Sequence, residues 1–214
     1  DTLADEAAGG DQAAAARQAN AAVKLHGYCD PAEDEPQFRR GLRKSFQSLV
    51  NWGRRNLRLA YVNGGNPDSA LFAAYRAFHA RVAGRVTRGE GSWQAMFEWI
   101  AAGGGELALG HLADGTLVSG TMCVDGEMET YYASGVYDRE RFDQPLAHWP
   151  LYDAIRRSGA RGMRRFDLGE LPAKGTVSDK EFNIGYFKRG FASQIDMHLV
   201  WQWQPQGTGI RHGG

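Results

Sequence analysis

The chain has 214 residues, 43% hydrophobic and 23% charged, with 25 basic and 25 acidic side chains. Those figures fit one soluble globular domain with an ordinary core. No apolar run approaches the ~20 residues that span a bilayer, and two distant cysteines, Cys29 and Cys123, without CxxC spacing argue against a disulfide framework or a zinc site.

The charge balance is local rather than uniform. Residues 1–35 hold eight acids against Arg17 and Lys24, whereas 36–58 hold seven bases and no acid. Asp1 to Gly10 is small and acidic and reads as a disordered tail. Asp11 to Leu25 is alanine-rich, with Asp11 as N-cap, and is expected to be a helix with a thin apolar face. A turn-rich link, Asp30 to Pro36, closes this N-terminal segment, 1–35. The chain opens at Asp1 without a methionine, as a fragment or processed chain does, and shows no charged-then-apolar leader. With the sparse cysteines, a cytoplasmic setting is the expectation.

From Pro36, apolar residues Phe38, Leu42, Phe46, Leu49 and Val50 recur at helical spacing, and Gly53 and Asn56 mark the end. Arg39, Arg40, Arg43, Lys44, Arg54 and Arg55 cover the other faces. That basic surface has two readings: a solvated helix face, or a site for a polyanion such as RNA or a cofactor's phosphates. Leu57 to Val62 is a short strand, and Pro67 opens a second helix with Leu71, Tyr75, Phe78 and Val82 as its core stripe. His79 beside that stripe reads as a packing residue.

Arg85 and Arg88, between glycines and followed by Trp93, form a candidate clamp for a carboxylate or phosphate, because guanidinium grips such groups with paired hydrogen bonds. The competing reading is arginine capping of a helix end, with Trp93 as a core anchor. A third helix runs through Ile100 and stops at Gly103-Gly104-Gly105.

Glu106 to Gly135 is the centre of the sequence. Asp114-Gly115 and Asp125-Gly126 divide three alternating runs, the signal of hairpins closed by type I′ turns, and hence of an antiparallel meander. A helix from about Trp149 to Ser158 follows, with His148 at its entrance as a candidate ligand contact. It leads to a strand, Met163 to Leu168, that a crossover helix would lay parallel to its predecessor. The loop from Gly169 through Glu170 to Gly175 lies at that strand's carboxyl end, where ligands of mixed sheets sit. Ser178 to Gly190 then packs Lys180, Glu181, Asn183, Tyr186, Lys188 and Arg189 together. A last strand alternates Ile195, Met197, Leu199 and Trp201, and Pro205 to Gly214 reads as a frayed tail. No metal signature, Walker loop, GxGxxG or Gly-x-Ser-x-Gly elbow is present.

This order of elements resembles the GNAT acyltransferase fold, an α+β architecture with a mixed α/β sheet and helices on both faces. Arg165-Phe166-Asp167-Leu168-Gly169, then a loop, then Tyr186-Phe187-Lys188-Arg189-Gly190-Phe191, is similar to the FemABX aminoacyl and peptidyl transferases and related acetyltransferase-like domains. The likeness covers about 37–203, within a domain expected over 36–204. It departs from the family at Ala192-Ser193, where glycines are common, and lacks the Gln/Arg-x-x-Gly-x-Gly/Ala loop that holds coenzyme A pyrophosphate.

The resemblance implies an N-acyltransferase with no resident cofactor, whose co-substrate is acyl-CoA or aminoacyl-tRNA. The acceptor would be an amine of a small molecule, a sugar or a cell-envelope precursor, with tRNA as a possible partner and DNA as none. Glu170, Glu181 or His148 would be the general base and Tyr186 the acid on the leaving group. Lys188, the motif lysine, would hold a phosphate or carboxylate, with Arg85, Arg88, Trp93 and Arg189 as further binding residues. The rival reading is a non-catalytic GNAT-like binding module, or half of a two-domain transferase.

Overall fold

The three alternating runs are strands. In the computed structural model, which describes residues 19–203, they are β3 (Gly105–His111), β4 (Leu117–Asp125) and β5 (Glu129–Tyr137), paired antiparallel in sequence order. Neither Asp-Gly pair forms the type I′ turn, which needs positive φ at both central residues. Among the described residues no non-glycine has positive φ, and Gly115, at 85°, has it where Gly126 does not. Instead Asp114 accepts from the Thr116 N–H at 2.9 Å, and the Gly126 N–H donates to the Glu129 carbonyl at 2.8 Å.

Strand β2 (Arg58–Val62) extends the meander beside β3, and β6 (Arg165–Glu170) lies parallel to β5 after the helix α5 (His148–Ala160). The Ala-rich segment corrects one expectation: residues 19–29 are a strand, β1 (Ala19–Cys29), antiparallel to β6. Backbone pairing with the β6 edge overrides the local helix preference of alanine, which is a weak bias. The rest of that expected helix, the acidic tail and the residues after 203 lie outside the described residues. With β7 (Gln194–Trp203) the sheet has seven strands in the order β2-β3-β4-β5-β6-β1-β7.

The chain divides into two units, Leu25–Asp196 and a smaller one of residues 1–24 and 197–214. The described part of the smaller one is strand, 19–24 of β1 and 197–203 of β7. The larger unit carries the helices and the site.

The helix expected from Pro36 to Asn56 is two helices, α1 (Glu35–Gly41) and α2 (Phe46–Asn56). Leu42 is extended and the Arg43 N–H donates to the Gly190 carbonyl at 2.9 Å, a tertiary contact that interrupts a locally continuous pattern. Phe38, Phe46, Val50, Leu151, Ile155, Phe166, Leu168 and Phe191 form the core on this face. On the other face, α3 (Ser69–Ala83) and α4 (Glu90–Ala101) bury Phe72, Tyr75, Phe78, Trp93 and Ile100 against Val62, Leu107 and Leu109. Helix α6 (Asp179–Arg189) follows β6. Among the described residues no helix is long and apolar enough to cross a membrane.

Candidate active site

Strands β5 and β6 pair over three positions, ending at Tyr131↔Asp167, and then part. Beyond that point β6 pairs on its other edge with β1, at Gly27↔Gly169 and His26↔Glu170, while β5 runs on to Tyr137 against β4 alone. Those β5 N–H groups that point away from β4 therefore face an opening with no strand in it. A cleft of roughly 870 Å³ occupies the opening, walled by β5 from Tyr131 to Tyr137, by α3 and by α6.

Lys188 of α6 lines this cleft. Its ammonium stands 5.8 Å from the centre of the Tyr132 ring, and a Cβ on Gly169 would lie 3.0 Å from it. Gly169 has φ 82°, so a glycine at the end of β6 both permits the backbone turn and leaves room for the lysine. Burial lowers the Lys188 pKa, opposed by the negative charges of Asp167 and Glu170. Glu170 itself does not line the cleft.

Two phenols meet on the same wall. The Tyr132 and Tyr137 hydroxyls are 2.7 Å apart. Residues an odd number apart on a strand ordinarily point to opposite faces. The register supplies the reason that these do not: Cys123 pairs with Tyr132 but Met122 with Ser134, so Ala133 is an extra residue and the alternation shifts by one. Gly135 completes the arrangement, since a Cβ there would lie 1.9 Å from the Tyr132 hydroxyl oxygen. Burial raises the pKa of both tyrosines, so both stay protonated at neutral pH. Across the strand, Tyr75 donates to the Ser134 hydroxyl at 3.0 Å.

His79, read from sequence as a packing residue, also lines the cleft. Its Nδ1 lies 3.2 Å from the Thr87 hydroxyl and its Nε2 3.5 Å from the Arg88 guanidinium. Burial, then the Arg88 charge, lowers its pKa, so the ring is neutral at pH 7.

The other candidates are dispersed. Arg88 lies over the Trp93 ring at 5.3 Å, and Trp93, 3% exposed, is edge-on to His79, so Arg88 and Trp93 stand behind the wall that His79 lines. Trp93 is thus the core anchor of the competing reading, and Arg85 is exposed. Glu181 is exposed and completes a capping box with Ser178 at the start of α6. Tyr186, 54% exposed, stacks under the Arg43 guanidinium at 3.9 Å. Arg189 is exposed. His148 packs against Phe46, Phe187 and Phe191, where burial pushes its pKa down to about 4. None of Arg85, Glu181, Tyr186, Arg189 or His148 lines the cleft.

Sequence reasoning missed Tyr132, Tyr137 and His79. Two tyrosines flanking a glycine in one strand were visible, but the bulge that turns them together has no local signature. Among the described residues no group of His, Cys, Asp and Glu could hold a metal ion.

Residues 36–182 match the family model described as an acetyltransferase (GNAT) domain. Among solved structures, FemX superposes with a TM-score of 0.61 at 13% identity, over 82% of this chain and 59% of that one. The C-terminal domain of a protein described as a lysylphosphatidylglycerol synthetase, from Agrobacterium fabrum, gives 0.60 at 15% identity, over 88% and 62%. L-PGS from Bacillus licheniformis gives 0.57 at 12% identity, over 86% and 60%. The chain spans about three fifths of each of these three, and at such identities the likeness is one of fold. No curated protein matches the sequence.

Proposed function

Because the chain belongs to the acetyltransferase (GNAT) domain family, we propose that its cleft transfers an acyl or aminoacyl group to an amine. The observation that carries this reading is the parting of β5 and β6 at Tyr131↔Asp167, with the Lys188 ammonium beside it. A thioester or ester carbonyl laid along β5 would direct its oxygen at the unpaired backbone N–H groups, which stabilise the oxyanion as the amine attacks.

The residues on the walls supply the proton transfers. As the new C–N bond forms, the amine proton passes to neutral His79, directly or through water. As the C–S or C–O bond breaks, the Tyr132–Tyr137 pair provides the proton for the departing thiolate or alkoxide. Lys188 holds a phosphate or carboxylate of the substrate in place and is no nucleophile. Glu170 stays behind Lys188 as its counter-charge.

The donor is acyl-CoA or aminoacyl-tRNA, and the acceptor is a small molecule or a cell-envelope precursor, in a cytoplasmic setting. The test is transfer and binding with acetyl-CoA and with mixed aminoacyl-tRNA, at two salt concentrations, with Lys188→Ala as control. Saturable coenzyme A turnover that falls about tenfold or more in Lys188→Ala supports a small-acyl transferase, a tenfold loss being ~1.4 kcal/mol of transition-state stabilisation. Salt-steep turnover with tRNA supports aminoacyl transfer. Donor binding without turnover favours the binding-module reading, and turnover unchanged in Lys188→Ala removes the role given to that lysine.

A further inference from the structure

The charges and apolar groups around the cleft are not mixed at random. Its charged side chains are Arg139, Lys180 and Lys188, and no Asp or Glu lines it. None of the ion pairs among the described residues engages these three cations. Asp167 and Glu170 act on Lys188 from behind without lining the cleft, Asp138 faces Arg141 at 3.7 Å, and Glu181 is turned to the Ser178 cap, so the surface presented to a ligand is that of the cations. The cleft is therefore a cationic pocket in a chain whose charges balance.

The same cleft carries exposed apolar side chains. Phe142 is 71% exposed and Ile184 and Tyr131 are each 46% exposed, and all three line it. Single exposed apolar residues are ordinary on any surface. Three of them around one cationic opening are a combined signal, because water-exposed apolar groups gain from contact with a hydrocarbon while the cations beside them require an anion.

We infer that the substrate held in this cleft is an amphiphilic anion, a molecule carrying a phosphate or carboxylate next to an alkyl chain, with Arg139 and Lys180 selecting the anion and Phe142 and Ile184 the chain. A cationic acceptor such as a polyamine is disfavoured by three like charges around the cleft, two on α6 and one after β5. The inference deepens the acyl-transfer reading and rests on it for the word substrate. The binding preference itself is measurable without any turnover.

The test titrates the purified chain calorimetrically with monomeric octyl phosphate, inorganic phosphate and octylamine. Octyl phosphate is expected to bind at least about tenfold more tightly than either of the others, the alkyl and anionic parts each contributing. Arg139→Gln with Lys180→Gln is expected to cut the advantage over octylamine at least about threefold, Lys188 retaining the remainder, and Phe142→Ser with Ile184→Ser to remove the advantage over inorganic phosphate. Arg139, Phe142 and Ile184 are exposed, and an unchanged thermal midpoint verifies that each double variant is folded. Equal binding of octylamine, or variants that bind octyl phosphate as the parent does, would overturn the inference. So would binding to phosphatidate vesicles in the absence of any binding to monomeric octyl phosphate, which would make the face a membrane-docking surface instead. A chain that transfers acyl groups yet shows no octyl phosphate preference loses this inference alone. One that shows the preference yet transfers nothing loses the enzymatic reading alone.

Discussion

His148 sits where an imidazole is neutral by default, ringed by Phe46, Phe187 and Phe191 and near the Arg43 charge. Burial lowers its pKa to about 4, from an ordinary value near 6.5, with the Arg43 charge adding to the shift and the Pro145 carbonyl opposing it. A histidine with a depressed folded pKa contributes stability above about pH 6.5, and that contribution is lost as pH falls towards 4. The chain is therefore expected to lose about 2–3 kcal/mol between pH 7 and pH 4 through this side chain. His148→Phe keeps the aromatic packing and should remove that part of the slope in urea unfolding measured across the range. Gly169 gives a second test at this scale. With φ 82° and the Lys188 ammonium 3.0 Å from a would-be Cβ, Gly169→Ala should cost about 1–2 kcal/mol of backbone strain and displace the lysine. Turnover should then fall as in Lys188→Ala while circular dichroism stays unchanged.

Among the elements, α6 brings Lys188 to the cleft, and it begins at a capping box. Ser178 accepts from the Glu181 N–H, and the Glu181 carboxylate reaches back to the Ser178 N–H at 3.0 Å. Such a box stabilises a helix start by about 1 kcal/mol. Glu181→Gln retains a residue able to close the box, so melting temperature and turnover should both stay near the parent values if Glu181 is a cap. A turnover loss at unchanged stability would return Glu181 to the catalytic candidates. Helices α2 and α5 show a different device. Gly53 lets them approach, since a Cβ there would lie 2.4 Å from the Trp149 Cβ. The same alternation that made the strands legible failed at β5, where one bulged residue reverses the facing of everything after it.

At the scale of the molecule, α5 is bound to the meander by a buried charge network. Glu106 of β3 is 4% exposed and accepts from Arg157 Nε at 2.6 Å and from Asn63 at 2.9 Å. Arg161 donates from Nε to Asp125 of β4 at 2.8 Å, and Thr130 donates to the same carboxylate at 2.6 Å. Removing one partner of a buried pair leaves the others uncompensated. Glu106→Ala should cost about 3 kcal/mol, towards the lower end for such sites, because the Arg157 and Arg161 side chains remain 38% and 28% exposed. A shift of the urea midpoint without a change of slope would verify it.

The sequence by itself determined the meander, the crossover to a parallel strand, the two core-forming helix stripes and the motif around Lys188. These rest on periodicity, on Gly and Pro punctuation and on a short contiguous motif, all of which are local. The tertiary structure decided what depends on distant partners. Strand β1 formed from an alanine-rich segment because β6 offered an edge, and the basic helix broke where Arg43 met Gly190. Likewise, a bulge measured against β4 set the Tyr132–Tyr137 pair, and the parting of β5 from β6 brought His79, Lys180, Lys188 and Arg139 around one opening. Residues from four segments of the chain converge there, and no window of sequence holds them together.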